Sequence, residues 1–502
     1  MFVSRVSAAR LSSQRLDADF YRPEFVKNEE KLLTKKVGRL GDVGHFFAGP
    51  FGSLLPSNLY LDKGIPLFRV GNVGQFEVLT DNFAHLAPHV HDDLKTSEVR
   101  PGDLLVVKAS VGEKICKVPD WIPKANITQH IIGIRPNGAF DTDYVSAFLF
   151  SSFGVLQLQR YSLGSIIQYL GITDAKGTYI VKADPVAQKY IGDKVRQAER
   201  LRAWAKARGE AIEALASNEA MKSACATTEK QHNRPQLEDL SHRLDPKYYG
   251  NRAVAVFRQA KALGKPLSSL VKGIANGFEE RVFFETGRDY ITVTEVSSGR
   301  LDLSSAPKIA QTTEVPDKAI IHERCALVVR TGSIGTAVKV DARDRGAVIS
   351  SHLIRLEFED EATAAAVAAY LCSPAGKVLQ HKISYGAVQP QIGQDELLAL
   401  PIPLFVLDAK EQILTLVTEQ ESAIRASKSL TTTAKYLVEA LIEGHLTEAD
   451  LIVTEQALQA GNDQSDRRIL NRLKTDGVDG QGPALFSDLD ELYRLLAQAE
   501  VD

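Results

Sequence analysis

The chain has 502 residues, with 60 Lys and Arg against 63 Asp and Glu, 44% apolar and 25% charged. At roughly 100–200 residues per domain it holds two to four domains, and this composition excludes collagen-like, disulfide-rich and wholly disordered chains. No run approaches the ~18–20 apolar residues of a membrane span, Met1 to Arg10 lacks the apolar stretch of a secretory signal, and Cys116, Cys225, Cys325 and Cys372 lie far apart without CxxC pairing, which suits a reducing cytoplasm.

In chain order, Arg15-Leu16-Asp17 precedes the aromatic pair Phe20-Tyr21, and Ala48-Gly49-Pro50-Phe51 reads as a turn. Gly102 to Lys108 (GDLLVVK) and Ile127 to Ile134 (ITQHIIGI) are dense in β-branched residues and read as strands. A short helical patch covers Tyr144 to Gln159. A long helix then runs from about Pro185 to Cys225, with Ile191, Val195, Ala198, Ala205, Ile212 and Leu215 as a sparse apolar stripe. The polar, proline-containing stretch Thr227 to Gln236 is a linker.

The order then starts again. Arg243-Leu244-Asp245 precedes Tyr248-Tyr249, and Ala275-Asn276-Gly277-Phe278 follows. VVRTGSIG from Val328 answers VVKASVG from Val106, and AVISSHLIRL from Ala347 answers ANITQHIIGI from Ala125. His352 thus stands 222 positions after His130, and Ser162/Ser384, Gly164/Gly386, Gly171/Gly393 and Val195/Val417 keep that interval. Chance similarity does not hold one spacing across separate elements, so the chain is a tandem duplication. Glu361 to His381 repeats the helical patch. A second long helix runs from about Asp408 to Glu443, striped by Ile413, Val417, Ile424, Ala434, Val438 and Leu441.

Neither long helix carries a core of its own. Each must bury its stripe, on the other as a coiled coil or back on its own β-rich portion. From Leu446 onward 12 acidic face 5 basic residues, so this tail holds −7 of a total of −3 and the remainder is +4. In the tail, NDQSD and DGVDGQGP read as flexible, while SDLDELYRLLAQA reads as a helix capped by Ser487.

Candidate binding residues are the polar and basic side chains on loops leaving strands, with aromatics beside them. Lys108, Ser110 and Lys114 share one turn, matched by Arg330, Thr331 and Ser333. Ser165, Gln168 and Tyr169 follow Gly164, and Tyr385, Gln389 and Gln391 bracket Gly386. Phe51, Ser53, Arg69, Asn72, Asn276 and Arg281 complete the set, Phe51 reading as either core or wedge. Arg reads guanine and Gln reads adenine in bidentate fashion, although the same residues also cap turns. His130 and His352, between apolar strand residues, read as satisfied structural histidines. The sequence has no GxxxxGK[ST] loop, no HExxH, no Cys/His cluster and no Asn-Pro-Pro-aromatic motif, so it reads as non-catalytic, with no cofactor or metal bound directly.

RTGSIG, GAVQPQIG, LPIPL and KEQI in the second half, with GIPLFRVGNV in the first, resemble the specificity subunit of type I restriction–modification systems. The first half departs from that pattern, with GSIIQYLGI where the second has Gln389-Pro390, and the acidic tail has no counterpart in it. The resemblance implies an α+β chain of two tandem mixed target-recognition domains, separated by long helices that pair as an antiparallel coiled coil. Its expected parts are recognition domain 1 (1–184), a spacer helix (185–226), a linker (227–242), recognition domain 2 (243–405), a distal helix (406–445) and the acidic extension (446–502). It further implies a bipartite double-stranded DNA target, and two adenine-N6 methyltransferase subunits that carry S-adenosylmethionine. It also implies restriction subunits using ATP and Mg, or another antiphage defence effector, and no membrane. Two other readings stay open from the residues alone: a stand-alone DNA-processing enzyme such as a nuclease, and a helical scaffold that binds only proteins.

Overall fold

The structure, a computed structural model, describes residues 11, 15–80, 82–109, 112, 114–162, 169–386 and 388–501. Packing divides the chain into two units, Met1–Ala203 with Ile424–Asp502, and Trp204–Ala423. Both boundaries fall inside the long helices. Among the described residues no single helix is long and apolar enough to cross a membrane. The bent pair Glu361–Cys372 and Pro374–Ile383 reaches that composition together, but most of its apolar residues lie in the second unit's core.

The first unit centres on a four-stranded sheet in the order Gly44–Ala48, Ile131–Pro136, Leu104–Val107, Ile115–Lys117. Leu104–Val107 is buried on both faces, which is why it reads as an unbroken apolar run. With a side-chain period of two, Leu104 and Val106 enter one core beside the helices, while Leu105 and Val107 enter a second core. That second core is shared with another sheet, in which Ile65–Phe68 pairs in parallel with Ala125–Ile127.

The second unit repeats this design. Val271–Asn276, Leu353–Phe358, Cys325–Val329 and Ala337–Lys339 stand in the same order. Ala326 and Val328 face one core, and Cys325, Leu327 and Val329 face the other. Arg288–Ile291 pairs in parallel with Val348–Ile349, as Ile65–Phe68 does with its partner. The helical patches of both halves bend at equivalent points. Ser151 and Ser373 each accept a hydrogen bond at the start of a new helix, from Gly154 N (3.2 Å) and Gly376 N (3.1 Å). A Cβ on either glycine would stand 2.2 or 2.1 Å from a carbonyl of the preceding helix, so the bend requires glycine there. The single patches read from sequence are therefore two helices each: Thr142–Phe150 with Ser152–Tyr161, and Glu361–Cys372 with Pro374–Ile383.

The long helices span Pro185–Leu215 and Lys410–Glu443. The first stops short of Cys225, because Asn218 accepts Met221 N at 2.9 Å and caps a separate helix, Glu219–Cys225. The two helices pack against each other rather than only on their own halves. In the second unit Gln420 donates to Ala205 O (3.0 Å) and Arg208 meets Glu419 (3.4 Å). In the first unit Ala187, Tyr190, Ile191 and Val195 share a core with Ala434, Leu437, Val438 and Leu441. Early residues of one helix accompany late residues of the other, so the pair is antiparallel.

The acidic tail is ordered, against the sequence expectation. It forms helices Glu448–Gln459, Gln464–Arg472 and Leu489–Val501, with a small hairpin from Leu473 to Val478. NDQSD opens the second of these helices, with Asn462 accepting Gln464 N (3.0 Å). DGVDGQGP folds around Asp476, which accepts Gln481 N and Gly482 N (both 2.9 Å). The final helix is capped by Asp488, not Ser487, through Asp490 N (2.8 Å) and Glu491 N (3.1 Å). Leu446, Leu451 and Ile469 tie the tail into the first unit's core.

Candidate nucleic-acid interface

In each unit one loop cluster sits at the end of the strand that carries two cores. In the first unit Lys108 directly follows Leu104–Val107, and its N–H donates to His130 O (2.9 Å). Lys108 is buried, its ammonium 5.2 Å from the Tyr169 ring, and burial lowers its pKa. Ala109 bridges Tyr169, whose hydroxyl donates to Gln129 O (2.8 Å). Gln129 in turn accepts Gly52 N (3.2 Å), which pins the turn carrying Phe51 and Ser53. The turn runs so close to Ile127 O that a Cβ on Gly49 would stand 2.0 Å away, the reason Gly-Pro-Phe-Gly begins with glycine. Arg69, Gln129 and His130 line a cleft of about 650 Å³ beside this turn.

The second unit repeats the wiring with different side chains. Arg330 N donates to His352 O (2.9 Å) and Ile392 N donates to Arg330 O (2.9 Å), as Leu170 N donates to Lys108 O (3.1 Å). Thr331 and Tyr385 both bridge Gln391, and the Arg330 guanidinium reaches Ser351 O (3.4 Å). Gln389, Tyr385 and Ser333 are exposed. This half presents a half-buried arginine fork, amides and a phenol on one loop surface, groups suited to base edges and phosphates.

The structure thus joins Lys108 with Tyr169, and Arg330, Thr331, Tyr385 and Gln391 with one another. Phe51 (77% exposed) is not core, and it lies with Ser53 beside the first cluster. Lys114 is half-buried, its carbonyl accepting Val107 N (3.2 Å). Asn276 ends its strand half-buried, and Arg281 lies apart, exposed and clasped by Glu279 (2.5 Å). Ser110, Ser165 and Gln168 lie outside the described residues.

Asn72 is buried; its side chain accepts Arg69 N (3.0 Å) and donates to Leu79 O (3.1 Å), shaping the turn at the wall of the cleft that it lines with Arg69. One expectation is corrected: His130 and His352 are exposed turn residues whose carbonyls accept Lys108 N and Arg330 N, while the His130 imidazole lies 3.2 Å from the Gln129 amide nitrogen and edge-on to the Tyr169 ring.

Sequence reasoning missed Gln129, which ties the first cluster together, and the exposed run Val282, Phe283, Phe284. That run falls between Gly277 and Gly287, as Phe51 and Leu54 fall between Gly49 and Gly64. The repeat was the available signal. Among the described residues no group of three His, Cys, Asp or Glu is arranged to hold a metal ion. The Glu323 carboxylate is engaged by Arg345, which holds its pKa below the usual value.

Fold and clusters together define a tandem-duplicated α+β protein, with one loop cluster per copy and two long antiparallel helices. No family model matches the chain, and no curated protein matches it. Among solved structures it is similar to the S subunit of the type I restriction–modification system from M. genitalium: 12% identity, 81% of this chain, 95% of that chain, TM-score 0.39. It is also similar to the HsdS subunit from Thermoanaerobacter tengcongensis: 14% identity, 82% of this chain, 97% of that chain, TM-score 0.29. A chain from a structure of type I R-M complex assembly and conformational transition is 13% identical, with 82% and 98% covered and a TM-score of 0.29.

Proposed function

We propose that this chain is a DNA sequence-specificity subunit that reads a bipartite duplex target, one half-site per unit. In this reading it performs no chemistry itself and positions adenine-N6 methyltransferase subunits in a type I restriction–modification or related antiphage defence complex. One observation carries the reading: the same backbone wiring is built twice, around Lys108 and around Arg330, while the side chains it displays differ. Conserved geometry with changed donors is what two heads for two different base sequences require. The mild positive balance outside the tail allows phosphate contact without histone-like charge.

Modification subunits dock on the long helices, bring S-adenosylmethionine and flip the target adenine. Restriction, where present, comes from a further subunit using ATP and Mg. The two helices, at 1.5 Å per residue about 46 and 51 Å long, set how much sequence between the half-sites goes unread.

A mobility-shift titration of the full chain with labelled duplex tests the reading. Binding that weakens steeply with salt, without strand cleavage, is expected. Cleavage by the chain alone contradicts it, as does absence of binding at low salt with the modification subunit present.

A further inference from the structure

We infer that Arg243 positions the reading loop of the second unit: without touching a base, it sets the pose in which Tyr385, Val388 and Gln389 meet DNA. Its role rests on the DNA reading above and deepens it, naming a residue on which the selectivity of one half-site depends.

The helix Pro374–Ile383 ends where that loop begins. The last carbonyls of a helix lack intrahelical donors and carry its negative end, so a cation that donates there satisfies them and fixes the exit of the chain. Arg243 does this from 140 residues away: its Nη1 donates to Ile383 O (2.5 Å) and its Nη2 to Ser384 O (3.0 Å). Lys247 adds a bond from its ammonium to the Ser384 hydroxyl (3.1 Å). Beyond Ser384 the loop closes on itself, Tyr385 N donating to Gln391 O (2.9 Å) and Gln391 N to Tyr385 O (2.8 Å). Its far end is anchored by Ile392 N on Arg330 O. Between the two anchors Tyr385, Val388 and Gln389 are exposed, Val388 to 99%. Side chains this exposed take their direction from the backbone beneath them, and Arg243 holds that backbone on the helix side.

Arg243 is itself aimed. Its Nε and Nη2 clasp Asp245 (2.8 and 2.9 Å), and its carbonyl accepts the Tyr249 hydroxyl (2.6 Å). The guanidinium carbon lies 4.9 Å from the centre of the Tyr248 ring, and the side chain is only 10% exposed. The clasp in turn holds the Asp245 pKa below the usual carboxylate value. The first unit builds the same clasp, with Arg15 on Asp17 (2.7 Å) and the Tyr21 hydroxyl donating to Arg15 O (2.7 Å). In the second unit the Arg-Leu-Asp motif and its aromatic pair are thus the foot of a reading loop. A lysine does not replace this arginine, because an ammonium lacks the planar fork that meets a carboxylate on one side and two carbonyls on the other.

The test selects duplexes from a randomised pool with the full-length parent, Arg243→Gln, Arg243→Lys and Asp245→Asn, followed by competition titrations and thermal melting. For Arg243→Gln, preference at the second half-site is expected to fall about tenfold, while the first half-site keeps its parental sequence and preference. Arg243→Lys, which keeps the charge and one donor direction, recovers part of the loss. Asp245→Asn, which leaves the arginine in place but loosens its aim, loses part of the preference. A merely structural arginine would lower the melting midpoint or the active fraction with both halves of the motif as sharp as the parent's. That result overturns the inference and leaves the DNA reading standing. Should Arg243→Gln not fold, Asp245→Asn decides, and an unchanged second half-site in that variant overturns the inference as well. A parent chain that selects no duplex overturns the DNA reading itself, and the inference with it.

Discussion

Arg160 and Lys382 stand 222 positions apart in equivalent helices, yet their surroundings differ. Arg160 lies over the Phe20 ring, donates to Phe20 O (3.0 Å) and pairs with Glu29 (2.9 Å). Lys382 lies over Tyr248 and donates to its carbonyl, but Phe257 takes the place of the glutamate. Burial pushes Lys382 down to about 8, against the raising effects of Asp239 and Asp245 and with a further lowering from Arg243. The folded state thus favours the neutral amine. Between pH of about 8 and the unfolded value of about 10.4 the unfolded chain holds more protons, so stability rises with pH, by at most about 1.4 kcal/mol per unit. Urea denaturation at about pH 7 and about pH 10 should show this rise for the parent and a flatter profile, starting higher, for Lys382→Met. A parent profile as flat as the variant's contradicts the assignment. At the interface, Arg330→Ala is expected to cost about 1–3 kcal/mol on one half-site only, and Arg330→Lys to restore charge without the fork. Competition titrations with half-site variants measure this. Arg330, Thr331, Tyr385 and Gln391 were legible because the repeat aligned two loops. The turn-closing role of Asn72 was not, because an amide that closes a turn looks in sequence like one that faces a ligand.

At the scale of elements, strands were legible because both faces of Leu104–Val107 and Cys325–Val329 are buried, leaving unbroken apolar runs. Helix ends were less so. The stop at Leu215 rests on one Asn cap, with neither Gly nor Pro to announce it. The tail was misread because acidic, glycine-rich sequence resembles solvated chain, whereas its partners Tyr190 and Lys194 lie more than 270 residues away. Burial alone would raise the Asp466 pKa; Lys194 and the hydroxyls of Tyr190 and Tyr493 hold it below the usual value. Removing it as Asp466→Ala leaves a buried ammonium without its counter-ion, a loss of about 3–5 kcal/mol. Thermal melting should show the drop, and an unchanged midpoint contradicts the pairing. Because the folded pKa is depressed, the contribution is present above the unfolded value of about 3.9 and is lost as pH falls through the folded one. Lengthening both long helices by about seven residues, roughly two turns, is expected to widen the unread gap by about three base pairs and leave both half-sites unchanged. Motif mapping of the insertion variant checks this; an unaltered gap contradicts the ruler.

For the molecule as a whole, the duplication was the most legible feature: the four-stranded sheets that carry both cores match in order, and the other sheets share three strands in one order, with Glu98–Val99 added in the first unit. The copies differ in loop side chains, in helix positions such as Arg160 and Lys382, and in the tail, where no repeat supplies a second reading. The central claim is that each copy reads its own half of a split target. Selection of bound duplexes from a randomised pool, with the parent chain and with variants altered in one cluster at a time, tests it most directly. Lys108→Ala with Tyr169→Ala should change one half of the selected motif, and Arg330→Ala with Gln391→Ala the other. A single contiguous motif, or one pair of substitutions changing both halves, would contradict it.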